Sequence, residues 1–126
     1  MDKTVAIIGY GTAAVNAIIA LRTSGFQGKI QVLSNTETLP YSPMMTSAYA
    51  AGTCEREGMF PWNACDLDQL DACVVSNAPV TSINVDAHTV TAGGNEYFYD
   101  VCLIASGAHP AVPAQVQGMS DTQDAF

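Results

Sequence analysis

Positive charge is the scarcest commodity in this chain. Four Lys and Arg stand against twelve Asp and Glu, for a formal net charge of −8. Nucleic acid and anionic membrane surfaces are bound through clustered cations, so this balance argues against both as partners. It also leaves few side chains to neutralise a bound phosphate, so any phosphate site must rest on backbone N–H groups and a helix terminus. Long apolar runs are missing too. None reaches the roughly 18 residues that span a bilayer, and the Val5–Ile8 run is too short and wrongly flanked for a signal peptide. The expectation is a cytoplasmic protein. Cysteine pairs are a third absence. Cys54, Cys65, Cys73 and Cys102 form no C-x-x-C or other close pair, which argues against zinc. Cys102, and Cys73 with it, reads as a small buried side chain, whereas Cys54 and Cys65 lie in a less regular region where either is a candidate reactive thiol. Only two histidines occur, His88 and His109. The first falls in a strand-rich stretch and reads as a surface residue. The second falls in a glycine turn, within reach of a ligand bound there.

What is present is clearest at the amino end. The stretch Thr4-Val-Ala-Ile-Ile-Gly-Tyr-Gly-Thr-Ala-Ala14 is an apolar run of strand length that stops at Gly9, with Gly11 two residues on and Ala14 three after that. A helix is expected from about Thr12 to Ser24, closed by Gly25. Strand, glycine turn and helix N-terminus together form the arrangement that binds the pyrophosphate of a dinucleotide. Gly9 lets the chain turn off the strand, Gly11 lets backbone approach a phosphate, and a small residue at 14 lets the helix pack on the strand. The alternative is an ordinary turn whose glycines serve only the bend. Ala14, Val15, Ala17, Ile18, Ile19 and Leu21 make the helix apolar around most of its circumference, so burial on more than one side is expected. Lys29–Ser34 reads as a second strand. Its start lies 25 residues after that of the first, which fits a right-handed crossover and parallel pairing. A carboxylate at the end of such a strand often holds a ribose. Glu37 is the acid nearest that point, and a solvated loop charge is its alternative role.

Leu39–Ser47 is rich in proline and apolar residues, suited to covering either the core or a flat ligand. Ala48–Gly52 reads as a short helix, and Asp66 as the N-cap of another over Leu67–Leu70. From Ala72 the pattern turns to strands. Ala72–Ser76 is short. Val80–Val85, His88–Ala92 and Glu96–Tyr99 alternate and are divided by the turn signals Asn84–Ala87 and Gly93–Asn95, giving an antiparallel meander. Val101–Ala105 is continuously apolar, like a buried parallel strand.

Three segments in this order resemble the N-terminal FAD-binding portion of the pyridine nucleotide-disulfide oxidoreductase superfamily, in its ferredoxin or rubredoxin reductase-like branch. They are Val5–Ala14 with Leu21-Arg22, then Leu39-Pro-Tyr41 with Ser47 and Gly52, then Tyr99-Asp-Val-Cys-Leu-Ile-Ala-Ser-Gly-Ala-His-Pro110. The resemblance covers about residues 4–113. It implies an α/β, Rossmann-like FAD/NAD(P)-binding fold with a parallel central sheet and a three-stranded antiparallel meander as crossover, present only in its N-terminal part. Residues 1–113 would form the partial FAD-binding domain, and 114–126 a tail or linker toward an NAD(P)H-binding domain. By the resemblance, Gly9, Gly11, Thr12, Ala13 and Ala14 meet the pyrophosphate of FAD, and the end of the second strand holds the adenosine ribose. Ser47 belongs to the second motif, Val80 contacts adenine through its backbone, and Ala105, Ser106 and Gly107 lie against the cofactor.

The departures from that family are specific. Its ribose acid falls on Thr36, with Glu37 one position late. Two cations that the ferredoxin-reductase branch keeps near the flavin are replaced here by Pro43 and Ala48. No C-x-x-x-x-C dithiol occurs, so a dithiol mechanism of the glutathione reductase kind is excluded, and no second nucleotide-binding turn follows. The resemblance implies an oxidoreductase that passes electrons from NAD(P)H through FAD to a protein or small-molecule acceptor, the flavin supplying the chemistry and no residue of this chain serving as catalytic acid or base. The acidic balance weighs against an acidic ferredoxin docking on this part. The alternative is a split half or interaction module that assembles with itself or with a completing polypeptide and does not turn over alone. An NAD(P)-binding domain is a third reading, opposed by the meander and the Ala-Ser-Gly turn.

Overall fold

Two apolar runs become the paired centre of a parallel sheet. The computed structural model describes residues 2–109 and 111, so the expected tail at 114–126 lies outside the described residues. Strand β1 (Thr4–Ile8) pairs in parallel with β2 (Lys29–Leu33), with Ile7 opposite Val32. Outside β2 lies β3 (Cys73–Val75), and on the other side of β1 lies β7 (Val101–Ile104), giving the order β3-β2-β1-β7. The crossover between β1 and β2 is helix α1 (Thr12–Thr23). Between β2 and β3 come a 3-10 turn (Pro43–Met45), α2 (Thr46–Ala50), a second 3-10 turn (Arg56–Met59) and α3 (Ala64–Asp68). Strands β4 (Val80–Asn84), β5 (Thr89–Ala92) and β6 (Asn95–Phe98) form a separate antiparallel sheet in chain order.

The period of two in β1 sends alternate residues to opposite faces. Val5 and Ile7 pack with Ala14 and Ile18 of α1 and with Ile30 and Val32. Ala6 and Ile8 pack with Leu33 on the opposite face, against Ala78, Val90, Ala92 and Tyr99 of the meander side. The result is three layers: helix, parallel sheet and meander. Each fully buried aliphatic side chain here stabilises the fold by roughly 1.5–3 kcal/mol. The turn from β4 to β5 is fixed by Asn84, whose Oδ1 accepts from the N–H groups of Asp86 (3.1 Å) and Ala87 (2.9 Å). That from β5 to β6 uses Gly93 and Gly94 at φ +55° and +81°, a pair of left-handed residues that suits the twist of a tight hairpin.

Arg22 closes the amino end of the sheet. Its Nε donates to Leu70 O (3.0 Å) and its Nη1 to Phe26 O (2.8 Å) and Gly28 O (3.0 Å). The guanidinium thus ties the last turn of α1 to the entry of β2 and to the chain leading into β3.

Several expectations are corrected. Helix α1 is buried on one side only, through Ala14, Val15 and Ile18, because its other flank meets no further layer among the described residues. Strand β7 is parallel as expected but not buried. Val101, Leu103 and Ile104 are exposed, since β7 is the outer strand and no described strand pairs with its far edge. Cys73 is exposed for the same reason at the opposite edge, in β3. The N-cap of α3 is Asn63. Its side chain accepts from Asp66 N (2.9 Å) while Asp66 Oδ2 accepts from Asn63 N (3.2 Å), a capping box with Asp66 at the third helical position. His88 precedes β5 in a left-handed conformation (φ +54°), its ring 5.4 Å from that of Tyr99.

Candidate functional site

The carboxyl ends of β1, β2 and β7 are stitched together by backbone. Gly9 N donates to Leu33 O (2.9 Å) and Ala105 N donates to Ile8 O (2.8 Å). Gly9 sits at φ +98°, and a Cβ built there would overlap the Ala105 carbonyl oxygen. Both facts demand glycine: the conformation is left-handed, and the β7 turn passes directly over it. Gly11 differs. Its backbone is extended (φ −109°, ψ −164°), and a Cβ there would meet nothing within 4 Å. The space above Gly11 is open.

Helix α1 begins at that open point. Its N-cap is Gly11, with no side-chain cap and no acidic residue in the first turn. The first-turn N–H groups of a helix have no intrahelical partner, and they carry the positive end of its dipole. Thr12 turns its hydroxyl to Tyr41 O (3.2 Å), tying the start of the helix to the 39–42 loop. Ala13 is exposed beside it, whereas Ala14 is wholly buried against the sheet. Position 14 is therefore a packing residue that lets the helix sit close.

Next to this terminus is a cavity of about 190 Å³, lined by Ile8, Gly9, Leu33, Asn35, Ala78, Pro79, Val80 and Ser106. The fold thus gathers Gly9, Val80 and Ser106, residues from three distant parts of the chain, around one hollow. Ala105 packs into the core beneath, and Gly107 is an exposed left-handed turn at φ +69°. Ser47 lies exposed on α2 and His109 exposed after the turn. Thr36 folds back locally: its N–H donates to Ser34 Oγ (3.3 Å), which in turn donates to Thr36 O (3.0 Å). The Glu37 carboxylate accepts from Asn77 Nδ2 at 2.6 Å. Asn35, Ala78 and Pro79 were not singled out by sequence. Asn35 lies two residues beyond β2, near where a ribose contact is sought, but a search for a carboxylate passes over it.

The cavity has no charged lining. Lys3, Arg22 and Lys29 lie at the amino end of the sheet, the opposite end from Gly9 and Gly11. Arg56 is the remaining cation. It borders a neighbouring hollow with Glu37, Leu39 and Phe60, its guanidinium 5.4 Å from the Phe60 ring centroid. Tyr10 faces a third hollow shared with Asp68. Burial and, secondly, the Asp68 charge raise its pKa above the ordinary tyrosine value. Among the described residues, no three His, Cys, Asp or Glu converge as a metal site.

An anion at this place has room at Gly11 and N–H groups to receive it, which is the donor set a pyrophosphate requires when cations are few. The family model described as pyridine nucleotide-disulphide oxidoreductase matches residues 3–126. The chain belongs to this family. Within it, the chain is 34% identical over 114 residues to the ferredoxin reductase component of chlorobenzene dioxygenase from Cupriavidus sp. (strain PS12), a match covering 86% of this chain and 27% of that protein. It is 29% identical over 113 residues to rubredoxin-NAD(+) reductase of Ectopseudomonas oleovorans, covering 82% of this chain and 28% of that one. The fold superposes on the reductase in the crystal structure of the covalent putidaredoxin reductase–putidaredoxin complex. There the TM-score is 0.84 and the identity 27%, over 93% of this chain and 28% of that one. The architecture is accordingly a Rossmann-type α/β fold of the ferredoxin and rubredoxin reductase branch, and the chain spans about a quarter of the length of these relatives.

Proposed function

We propose that this chain is the FAD-binding portion of an NAD(P)H-dependent flavoprotein oxidoreductase whose acceptor is a small redox protein of the ferredoxin or rubredoxin class. The observation that carries the proposal is the open backbone at Gly11, set at the uncapped N-terminus of α1 beside the cavity of Gly9, Val80 and Ser106. On this reading the N–H groups of Gly11, Thr12 and Ala13 receive the pyrophosphate. Ala14 keeps the helix close to the sheet. The adenosine end enters the cavity past Val80, and Ala105, Ser106 and Gly107 wall the site from the β7 side. Ser47 and the apolar 39–49 segment cover the ligand from above. Bound FAD supplies the redox chemistry, and the protein's share is to hold, orient and shield it. The names of the relatives support the acceptor class. A cytoplasmic location is part of this reading. Residues 1–113 would be the partial FAD-binding domain, followed by a linker.

Uptake of FAD by the purified protein, read as the visible absorbance of bound flavin and as quenching of free flavin fluorescence, tests the proposal. Gly11→Val is the informative variant. Its extended backbone and open surroundings accept a side chain without a clash, and valine is only a poorer N-cap, a cost of about 1 kcal/mol, so the circular dichroism should stay at wild-type values and the melting fall only slightly while FAD uptake is abolished. Undiminished uptake in that variant would place the pyrophosphate elsewhere.

A second reading has its own observation. A shallow apolar groove of about 620 Å³ runs between α1 and β7, walled by Ala17, Leu21, Phe26, Val101 and Leu103. Apolar surface of this kind calls for cover, which favours a module that completes itself with a further polypeptide or a second copy. Concentration-dependent dimerisation in sedimentation runs, without flavin uptake, would favour that reading over the first.

A further inference from the structure

We propose that Thr12 is a positioning residue: its hydroxyl holds residues 41–60 to the fold as a strap, and an anion received at the start of α1 fixes that strap in place. The proposal rests on the nucleotide-binding reading above and adds a regulation of the same site.

From Tyr41 to Phe60 no residue is buried. Pro40, just before the segment, and Leu67, beyond it, are both buried and pin its two ends. Between those anchors the segment holds itself together. Ser42 N donates to Met59 O (2.7 Å), the rings of Tyr41 and Phe60 meet edge-on at 6.4 Å, and the Arg56 guanidinium lies over the Phe60 ring. The outgoing and returning limbs are thereby joined at their base. Among the described residues, a single hydrogen bond ties this unit to the rest of the fold. It is the bond that the Thr12 hydroxyl donates to Tyr41 O at 3.2 Å. The bond falls one residue past the Pro40 anchor, at the root of the strap, where it sets the direction in which the whole strap leaves.

Thr12 is also the first residue of α1, and its N-cap, Gly11, offers no side-chain acceptor. First-turn N–H groups left without acceptors other than water belong to a helix end that frays. An anion there supplies the missing acceptors and holds the turn. One residue thus carries two contacts, its N–H for the anion and its hydroxyl for the strap. When the turn frays, the tie to Tyr41 is released. When the turn is held, the tie stays made. The anion therefore binds the tied form more tightly than the loose one, and that difference in affinity is what a shift of population requires. The coupling is reciprocal: the factor by which the anion steadies the tie is the factor by which the tie strengthens anion binding.

ADP is the probe, since it carries the adenosine and the pyrophosphate without the flavin. Its affinity is read by calorimetry, and exchange of the Ser42 amide hydrogen by NMR with and without ADP. In the wild type, saturating ADP should slow exchange at Ser42 about three- to tenfold, the effect of one hydrogen bond. Thr12→Val keeps the branched shape and the backbone N–H but removes the hydroxyl. It should weaken ADP binding by about the same factor and abolish the ADP effect at Ser42, where exchange is already fast in the free protein. Thr12→Ser returns a hydroxyl and should restore both. Weaker binding in Thr12→Val with the ADP effect at Ser42 intact would make the hydroxyl a direct ligand contact and overturn the proposal. Wild-type affinity in Thr12→Val would overturn it as well. Should ADP bind the wild type and leave exchange at Ser42 unaltered, the nucleotide reading stands and the coupling falls. Should the wild type take up no ADP, the nucleotide reading itself falls, and the coupling with it.

Discussion

The paired strands β1 and β2 and the segment that separates β2 from β3 are built on opposite principles. Each of the two strands is buried at four of its five positions. Between Asn35 and Ala72 only Pro40 and Leu67 are buried, although the segment is rich in apolar residues. Leu39, Tyr41, Met44 and Tyr49 are all exposed, Met44 at 87%. The strands are held by side chains that no longer meet water. The segment is held by a few backbone ties, such as Ser42 N to Met59 O (2.7 Å) and Thr12 Oγ1 to Tyr41 O, and by the edge-on contact of Tyr41 with Phe60. Contiguous apolar side chains that face water mark a surface that a ligand or another polypeptide covers. The first region therefore carries the fold, and the second leaves apolar surface open.

The largest test of that contrast lies in the core. Ile7→Ala should destabilise the protein by about 2–5 kcal/mol, seen as a lowered urea midpoint, whereas Met44→Ala should shift it by no more than about 0.5 kcal/mol. Equal effects would erase the distinction. Next comes Gly9→Ala, where a left-handed backbone and the overlying Ala105 carbonyl both oppose a methyl group. A loss of about 1–3 kcal/mol is expected, with strain and overlap that Gly11→Val does not meet. Arg22 sharpens the comparison from the other side, since it binds the end of the segment to the sheet. Arg22→Met keeps much of the apolar stem and removes the donors to Leu70, Phe26 and Gly28. A cost of about 1–3 kcal/mol follows, and hydrogen exchange should quicken at residues 70–73 before it does in β1.

The smallest effect is a pH dependence. The pKa of Tyr10 is raised in the fold, first by burial and then by Asp68, so its neutral form is the one the fold favours. The stability this group contributes is fully present below the ordinary tyrosine value of about 10 and is lost as pH rises through the higher value in the fold. Unfolding midpoints followed from neutral to strongly alkaline pH should fall more steeply in the wild type than in Tyr10→Phe. A parallel decline in both would remove Tyr10 from the account.

The strand, glycine turn and helix at the amino end were legible because each rests on local chemistry: an apolar run of strand length, glycines where side chains are excluded, and helical spacing beyond them. The meander was legible from turn residues at regular intervals. Less legible was anything that depends on a neighbour distant in sequence. The run Val101–Ile104 is as apolar as β1 and reads as equally buried, but apolarity does not say whether a strand lies inside a sheet or at its edge. Cys73 misled in the same way. Asn63 and Asp66 are both good helix caps, and only the reciprocal bonds between them assign which is the cap and which the third residue.

The contrast between Gly9 and Gly11 marks the boundary between the two sources of information. Local sequence by itself determined that the chain bends after β1 and that a helix begins there with bare N–H groups, since those properties belong to a few consecutive residues. The tertiary structure alone decided that Gly9 lies beneath the β7 turn while Gly11 opens to space, that Val80 and Ser106 share one cavity, and that Glu37 reaches Asn77 while Asn35 lines the hollow. Those outcomes depend on which strand ends lie side by side, and that is fixed by the packing of the sheet between its helix and its meander.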